Sequence, residues 1–251
     1  MIRAVLFDIG STLWSSPAED PAGLQRVYAR GREALRAALP EVPPVDVLIE
    51  TVEHYLAEWE EIWRQDASKV TQRPTTDFVA EALARINLAV APEALQRFTD
   101  EAMEASVYTA KVEPPEAGMK EALAELQSMG LRLAAVSNAF MGAATLRRIM
   151  DERGLGEHLE FILSSCEAGI RKPHPEIYRA AAQRLDLPPE AAVYVGDRVD
   201  ADVEGPSAIG MRGVLTQQYR QEDPAGAKVS PAAVIRHLSE LPGALREIGL
   251  A

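Results

Sequence analysis

From about residue 115 onward, short apolar runs alternate with amphipathic segments, and that alternation admits few folds. Pro115–Met129 carries apolar residues at helical spacing and stops at Gly130, a favourable residue just past a helix end. Leu131–Ser137 reads as a strand, Ala143–Arg153 as a helix stopped at Gly154, and Glu160–Ser164 as a short strand. Pro175–Leu185 reads as a helix, Ala192–Val195 as a strand, Ala201–Ile209 as a helix, Arg212–Thr216 as a strand and Pro231–Glu247 as mostly helical. Strands separated by helices of this length predict a parallel, doubly wound sheet with helices on both faces. One more strand lies far upstream. Arg3–Asp8 is apolar on both faces until Asp8, as a central parallel strand requires.

Residues 15–110 interrupt this pattern. Leu24, Val27, Tyr28, Leu35 and Leu39 recur at helical spacing, as do Val52, Tyr55, Leu56, Trp59 and Trp63. Two shorter helices are expected near Thr76–Ile86 and Pro92–Tyr108. The expected fold is therefore an α/β, Rossmann-like core (1–14 and 111–251) carrying an inserted all-helical domain (15–110). Tyr55, Trp59 and Trp63 share one helix face and are expected to form the insert's own core.

Composition narrows the partners. The 251 residues carry 26 Lys and Arg against 38 Asp and Glu, a net charge of −12. Nucleic acids and anionic membranes need a basic surface, so neither is an expected partner. No apolar run is long enough to span a bilayer. Cys166 stands alone, which forbids a disulfide within the chain and fits a cytoplasmic setting. The sequence is silent on oligomeric state.

In open parallel sheets ligands bind beyond the carboxyl ends of the strands. Asp8, Gly10 and Thr12 follow the first strand, and Ser137 and Asn138 the second. Lys172 lies on the loop after the third, and Asp197, Asp200 and Asp202 follow the fourth. Carboxylates about 4 Å apart at an effective dielectric of about 20 repel by on the order of 4 kcal/mol. A hard divalent cation such as Mg²⁺ removes that repulsion. Ser137 and nearby amides suit phosphate oxygens, and Lys172 adds a compact positive charge. Together these groups resemble a template for phosphoryl transfer.

Asp8-Ile-Gly-Ser-Thr12, Val-Ser137-Asn138, Gly169-Ile-Arg-Lys172-Pro173 and Gly196-Asp197-Arg-Val-Asp-Ala-Asp202 resemble, in order and spacing, the four motifs of the haloacid dehalogenase (HAD) superfamily. The helical insert stands where the helical-cap branch of that superfamily carries its cap. The resemblance implies Asp8 as nucleophile, with Asp8, Asp197 and the Gly10 carbonyl as Mg²⁺ ligands. It implies Ser137, the Asn138 amide and Thr12 as holders of the transferring group. Lys172 would orient Asp8, and Asp202 would be a supporting acid with Asp200 as a weaker substitute. The implied substrate is a small phosphorylated metabolite, with the cap closing over it.

Position 10 departs from this pattern. Phosphatases of the superfamily carry there a second Asp that protonates the leaving alcohol and activates water, and glycine does neither. Such general acid–base help is worth about 10²–10⁴-fold. Aryl and acyl phosphates need less of it, and Glu19 or Asp20 of the insert is a candidate substitute acid. Three alternatives remain: a weakly active or inactive metabolite-binding or interaction protein, a 2-haloacid dehalogenase, and, less favoured, a phosphonatase using Lys69. Dehalogenases of the superfamily work without the metal and usually lack the Gly196-Asp197 pair, which is intact here. A receiver-like phosphoacceptor is disfavoured by the insert and by Lys172 preceding the fourth strand.

Overall fold

The computed structural model describes residues 1–15, 20–66, 68–105, 107 and 114–249. The chain divides into two compact units, Met1–Ser16 with Pro114–Ala251, and Pro17–Glu113. The expected boundary at residues 110 and 111, the expected helix end at Tyr108 and the candidate acid Glu19 lie outside the described residues.

The first unit is a six-stranded sheet in the order β3-β2-β1-β4-β5-β6. The strands are β1 (Ala4–Phe7), β2 (Arg132–Ser137), β3 (Ile162–Ser164), β4 (Ala192–Gly196), β5 (Arg212–Thr216) and β6 (Ala233–Ile235), and every pairing is parallel. The fold is thus α/β and Rossmann-like. β1 is fully buried along its length because it lies between β2 and β4. After β1 the chain steps outward through β2 and β3, then returns and continues through β4, β5 and β6. The winding therefore reverses between β1 and β4, the position where such sheets open a crevice.

Tyr178 and Tyr194 anchor one face of the sheet. Their rings meet edge to face at 5.4 Å, and Tyr194 donates its hydroxyl to the Val136 carbonyl at 2.7 Å. Tyr178 lies on the helix Pro175–Arg184, which buries Ile177, Ala181 and Ala182 against Leu6, Ala134 and Val136. His174 caps this helix, its Nδ1 accepting from the Glu176 amide at 3.2 Å.

Two segments differ from the sequence expectation. Residues 231–235 are not helical: β6 extends the sheet beside β5, and only Leu241–Glu247 forms the final α-helix. No Gly or Pro separates Ala232 from Leu241, so the strand reads as the start of the helix that follows. Val199–Glu204 forms a wide π-helical turn in place of a regular helix, followed by a short α-turn, Gly205–Ser207. Gly196 and Gly213 make room for that turn. A Cβ on Gly196 would lie 2.2 Å from the Asp202 carboxyl carbon, and one on Gly213 would lie 2.6 Å from the Asp202 carbonyl oxygen.

In the second unit the described residues form four helices: α1 (Pro21–Arg36), α2 (Val45–Gln65), α3 (Thr75–Ala84) and α4 (Pro92–Met103). Asp20 caps α1, accepting from the Gly23 amide at 2.8 Å. Trp59, Trp63 and Phe78 pack mutually at 5.3–5.6 Å, so the α2 aromatic stripe is turned onto α3.

Candidate active site

β1 ends in a tight loop. The Asp8 amide donates to the Val195 carbonyl at 2.8 Å, and the amides of Leu13 and Trp14 both donate to Ile9 at 2.9 Å. The left-handed residue of this loop is Ser11, at φ 56°, and not Gly10. A Cβ placed on Gly10 meets nothing within 4 Å. Neither backbone conformation nor crowding therefore accounts for a glycine there.

Register brings the predicted residues to one edge. Phe7 pairs with Ala135 of β2 and with Val195 of β4, so Asp8, Ser137 and Asp197 leave neighbouring strands within a residue of one another. Lys172 Nζ donates to Asp8 Oδ1 and to Asp202 Oδ1, each at 2.7 Å. The Lys172 side chain is 3% exposed and lies 5.1 Å from the Tyr194 ring centroid. Burial depresses the lysine's affinity for a proton, but Asp202 and Asp8 more than offset this and hold it charged. The remaining Asp202 oxygen accepts from the Arg198 amide at 3.0 Å. Burial pushes Asp202 up to about 6 despite Lys172.

Asp197 is the exception. It is 2% exposed, and its Oδ2 accepts no well-formed hydrogen bond. Arg220 Nε lies 2.6 Å from that oxygen, close enough for an ion pair but not aligned to donate. Burial first, then Asp8 and Asp202, pushes Asp197 up to about 8. Asp8, Asp197 and Asp202 each place an oxygen within 4.8 Å of the others. Three carboxylates thus face a single buried ammonium. An all-oxygen cluster with unmatched negative charge and an orphaned carboxylate oxygen fits a hard cation. Asp200 is not part of it: Arg198 holds both its oxygens, at 3.0 and 2.9 Å.

Asn138 uses its side chain differently from its predicted neighbours. Its Oδ1 accepts from the Lys172 amide at 2.8 Å and its Nδ2 donates to the Lys172 carbonyl at 3.0 Å. Its side chain is thus committed to the Lys172 backbone. Ser165 and Glu167 brace the same loop, accepting from the amides of Ala139 at 3.0 Å and Ala143 at 2.9 Å. Ser137 is buried at the end of β2. Thr12 is fully buried, and its hydroxyl has no partner.

Sequence reasoning missed Arg220 and Glu222, whose carboxylate accepts from the Val199 amide at 2.8 Å. Both lie on the loop after β5, which reads as polar surface. The signal was available: the rule that selects residues after β1 to β4 applies equally to β5.

A sequence profile described as haloacid dehalogenase-like hydrolase matches residues 2–210. The chain belongs to the haloacid dehalogenase-like hydrolase family. The human haloacid dehalogenase-like hydrolase domain-containing protein 3 is 37% identical over 107 residues, covering 43% of this chain and 41% of that protein. A glyceraldehyde 3-phosphate phosphatase of Methanopyrus kandleri is 28% identical over 252 residues, covering 99% of each. Among solved structures, a 2-haloacid dehalogenase from Pseudomonas syringae aligns with a TM-score of 0.62 and 25% identity, over 98% of this chain and 99% of that one. The chain is thus an enzyme of the hydrolase class. Among the described residues, no helix is long and apolar enough to cross a membrane.

Proposed function

We propose that this hydrolase is a Mg²⁺-dependent phosphatase that acts on small phosphate esters through an aspartyl-phosphate at Asp8. The observation that carries this reading is the buried Asp197, its Oδ2 accepting no hydrogen bond, beside an Asp8–Lys172–Asp202 chain. A dehalogenase needs a nucleophilic carboxylate but has no use for a second buried acid that accepts no aligned hydrogen bond at its Oδ2. The phosphatase name of the M. kandleri relative, matched along its whole length, agrees with this reading.

Lys172 engages Asp8 Oδ1 and leaves Oδ2 as the attacking oxygen. Attack at phosphorus breaks the bond to the leaving oxygen and places the phosphoryl group on Asp8. Ser137, Thr12 and the Asn138 amide receive its non-bridging oxygens, which gives the orphaned Thr12 hydroxyl a partner. Water then attacks phosphorus, releasing inorganic phosphate and the Asp8 carboxylate. Mg²⁺ held by Asp8, Asp197 and the Gly10 carbonyl, with Asp202 supporting, would neutralise phosphoryl charge in both steps. With glycine at position 10, solvent protonates the leaving oxygen, so phosphates of acidic alcohols turn over best. The insert at 15–110 serves as the cap that selects the leaving group.

The test is hydrolysis of an aryl phosphate and of acetyl phosphate with Mg²⁺ or with EDTA. Wild type is expected to turn over with Mg²⁺ only, and Asp8→Asn to lose at least about 10³-fold. Asp8-independent hydrolysis would sink the reading. Metal-independent chloride release from a 2-haloacid would replace it with dehalogenation.

A further inference from the structure

Arg220 belongs to none of the four motifs, yet it is the only cation near Asp197 besides Lys172 among the described residues that act on that carboxyl. The two cations differ in kind. Lys172 is 3% exposed and fixed by two carboxylates. The Arg220 side chain is 47% exposed and its Nε–H does not point at the oxygen it neighbours. The residues flanking it, in contrast, are tied down on both sides. Gln217 donates its amide to Ile235 at 2.8 Å, the Gln218 side chain accepts from Leu238 at 2.8 Å, and Glu222 accepts from Val199 at 2.8 Å. The loop is held while the guanidinium is free to leave. Arg198, the other arginine beside these acids, is already committed to Asp200 at two points.

We propose that Arg220 is a built-in counter-cation that competes with a divalent ion for Asp197 and swings into solvent when the ion binds. This inference rests on the metal reading of the site. A guanidinium 2.6 Å from an Asp197 oxygen and a divalent ion drawing on the same carboxylate repel each other. In the ion-free protein Arg220 partly relieves the unmatched charge, and that relief is lost when metal takes its place. The arginine thereby weakens metal affinity and protects the metal-free fold. The geometry favours a switch of this kind over a fixed structural bridge because one partner is buried and directionless while the other is half in water.

The experiment is a calorimetric titration with MgCl₂ at pH 8 and low ionic strength, using wild type, Arg220→Gln and Arg220→Lys, with Asp197→Asn as the site control. Arg220→Gln is expected to bind Mg²⁺ about 2- to 5-fold more tightly than wild type, the range for a half-exposed ion pair. Arg220→Lys falls between, and the difference shrinks as salt is raised. Thermal melts give an independent readout. In EDTA, Arg220→Gln melts below wild type, and the rise in melting temperature on saturation with Mg²⁺ is larger than in wild type. Equal or weaker Mg²⁺ binding in Arg220→Gln, with an unchanged gap between the two melts, overturns the proposal and leaves the metal reading standing. If neither protein binds Mg²⁺, both fall. If only Arg220→Gln binds, both are upheld.

Discussion

Glu81 in the helical unit and Asp197 at the sheet edge are both acids surrounded by charge, and they respond in opposite directions. Arg73 grips Glu81 with two nitrogens, at 2.5 and 2.9 Å, and Tyr55 donates to it at 2.5 Å. Those hydrogen bonds, Arg73's above all, hold its carboxyl down at about 2. Asp197 is more deeply buried and has only a misaligned arginine, and burial lifts it to about 8. The helical unit supplies its own cation through the chain. The sheet edge offers Asp197 only a misaligned, half-exposed arginine, so its carboxylate stays incompletely matched. A network that satisfies itself points to structure, and one that is left unsatisfied points to a ligand.

The largest expected effect comes from removing Lys172, the buried cation that holds Asp8 and Asp202. Lys172→Met leaves Asp8 and Asp202 unpaired and is expected to cost about 3–5 kcal/mol at pH 8, read from denaturant unfolding in EDTA. The loss should shrink toward acid pH as the orphaned carboxyls take up protons. A loss that stays constant with pH would mean the lysine acts by packing alone. Next in size is Gly10→Asp. A Cβ at this position meets nothing within 4 Å, so alkyl phosphate turnover should rise by about 10²-fold or more if the missing acid limits the rate. No gain on alkyl phosphates would show that another group already supplies the proton.

Asp197 itself predicts a pH dependence. Its folded pKa is raised, so the folded state binds the proton more tightly than the unfolded state does. Metal-free stability should therefore fall as pH rises from the ordinary carboxyl range through about 8. The stabilisation by Mg²⁺ should grow across the same window. Asp197→Asn should flatten both curves, measured as melting temperatures from pH 5 to 9. The smallest effect belongs to Glu81. Its pair with Arg73 is about four-tenths exposed, so Glu81→Gln should cost about 1 kcal/mol or less. The Glu81 contribution is present above the ordinary carboxyl pKa and is lost only as pH falls through about 2. A Glu81→Gln loss as large as that of Lys172→Met would erase the contrast between the two regions.

Much of this was legible in the sequence because period and position carry it. Apolar runs bounded by helices gave five of the six strands, and the rule for strand ends drew Asp8, Lys172, Asp197 and Asp202 into one neighbourhood. What escaped has physical reasons. β6 follows Pro231 and runs on toward a helix with no Gly or Pro between Ala232 and Leu241, so it reads as that helix's start. The π-turn at Val199–Glu204 depends on Gly196 and Gly213 lying on different strands, a coincidence of sheet register and not of spacing. The Asn138 grip on Lys172 joins residues 34 positions apart through backbone groups, which no side-chain pattern announces. Arg220 lies on a mostly polar loop that reads as surface, and only the strand-end rule applied to β5 points to it.

The space beside Gly10 has a bearing on the history open to this chain. Every glycine codon becomes an acidic one, aspartate or glutamate, by a single base change at its middle position. Neither the local backbone nor the room for a first side-chain carbon would oppose that change. An acidic side chain at position 10 thus lies one nucleotide away, aspartate from two of the four glycine codons and glutamate from the other two.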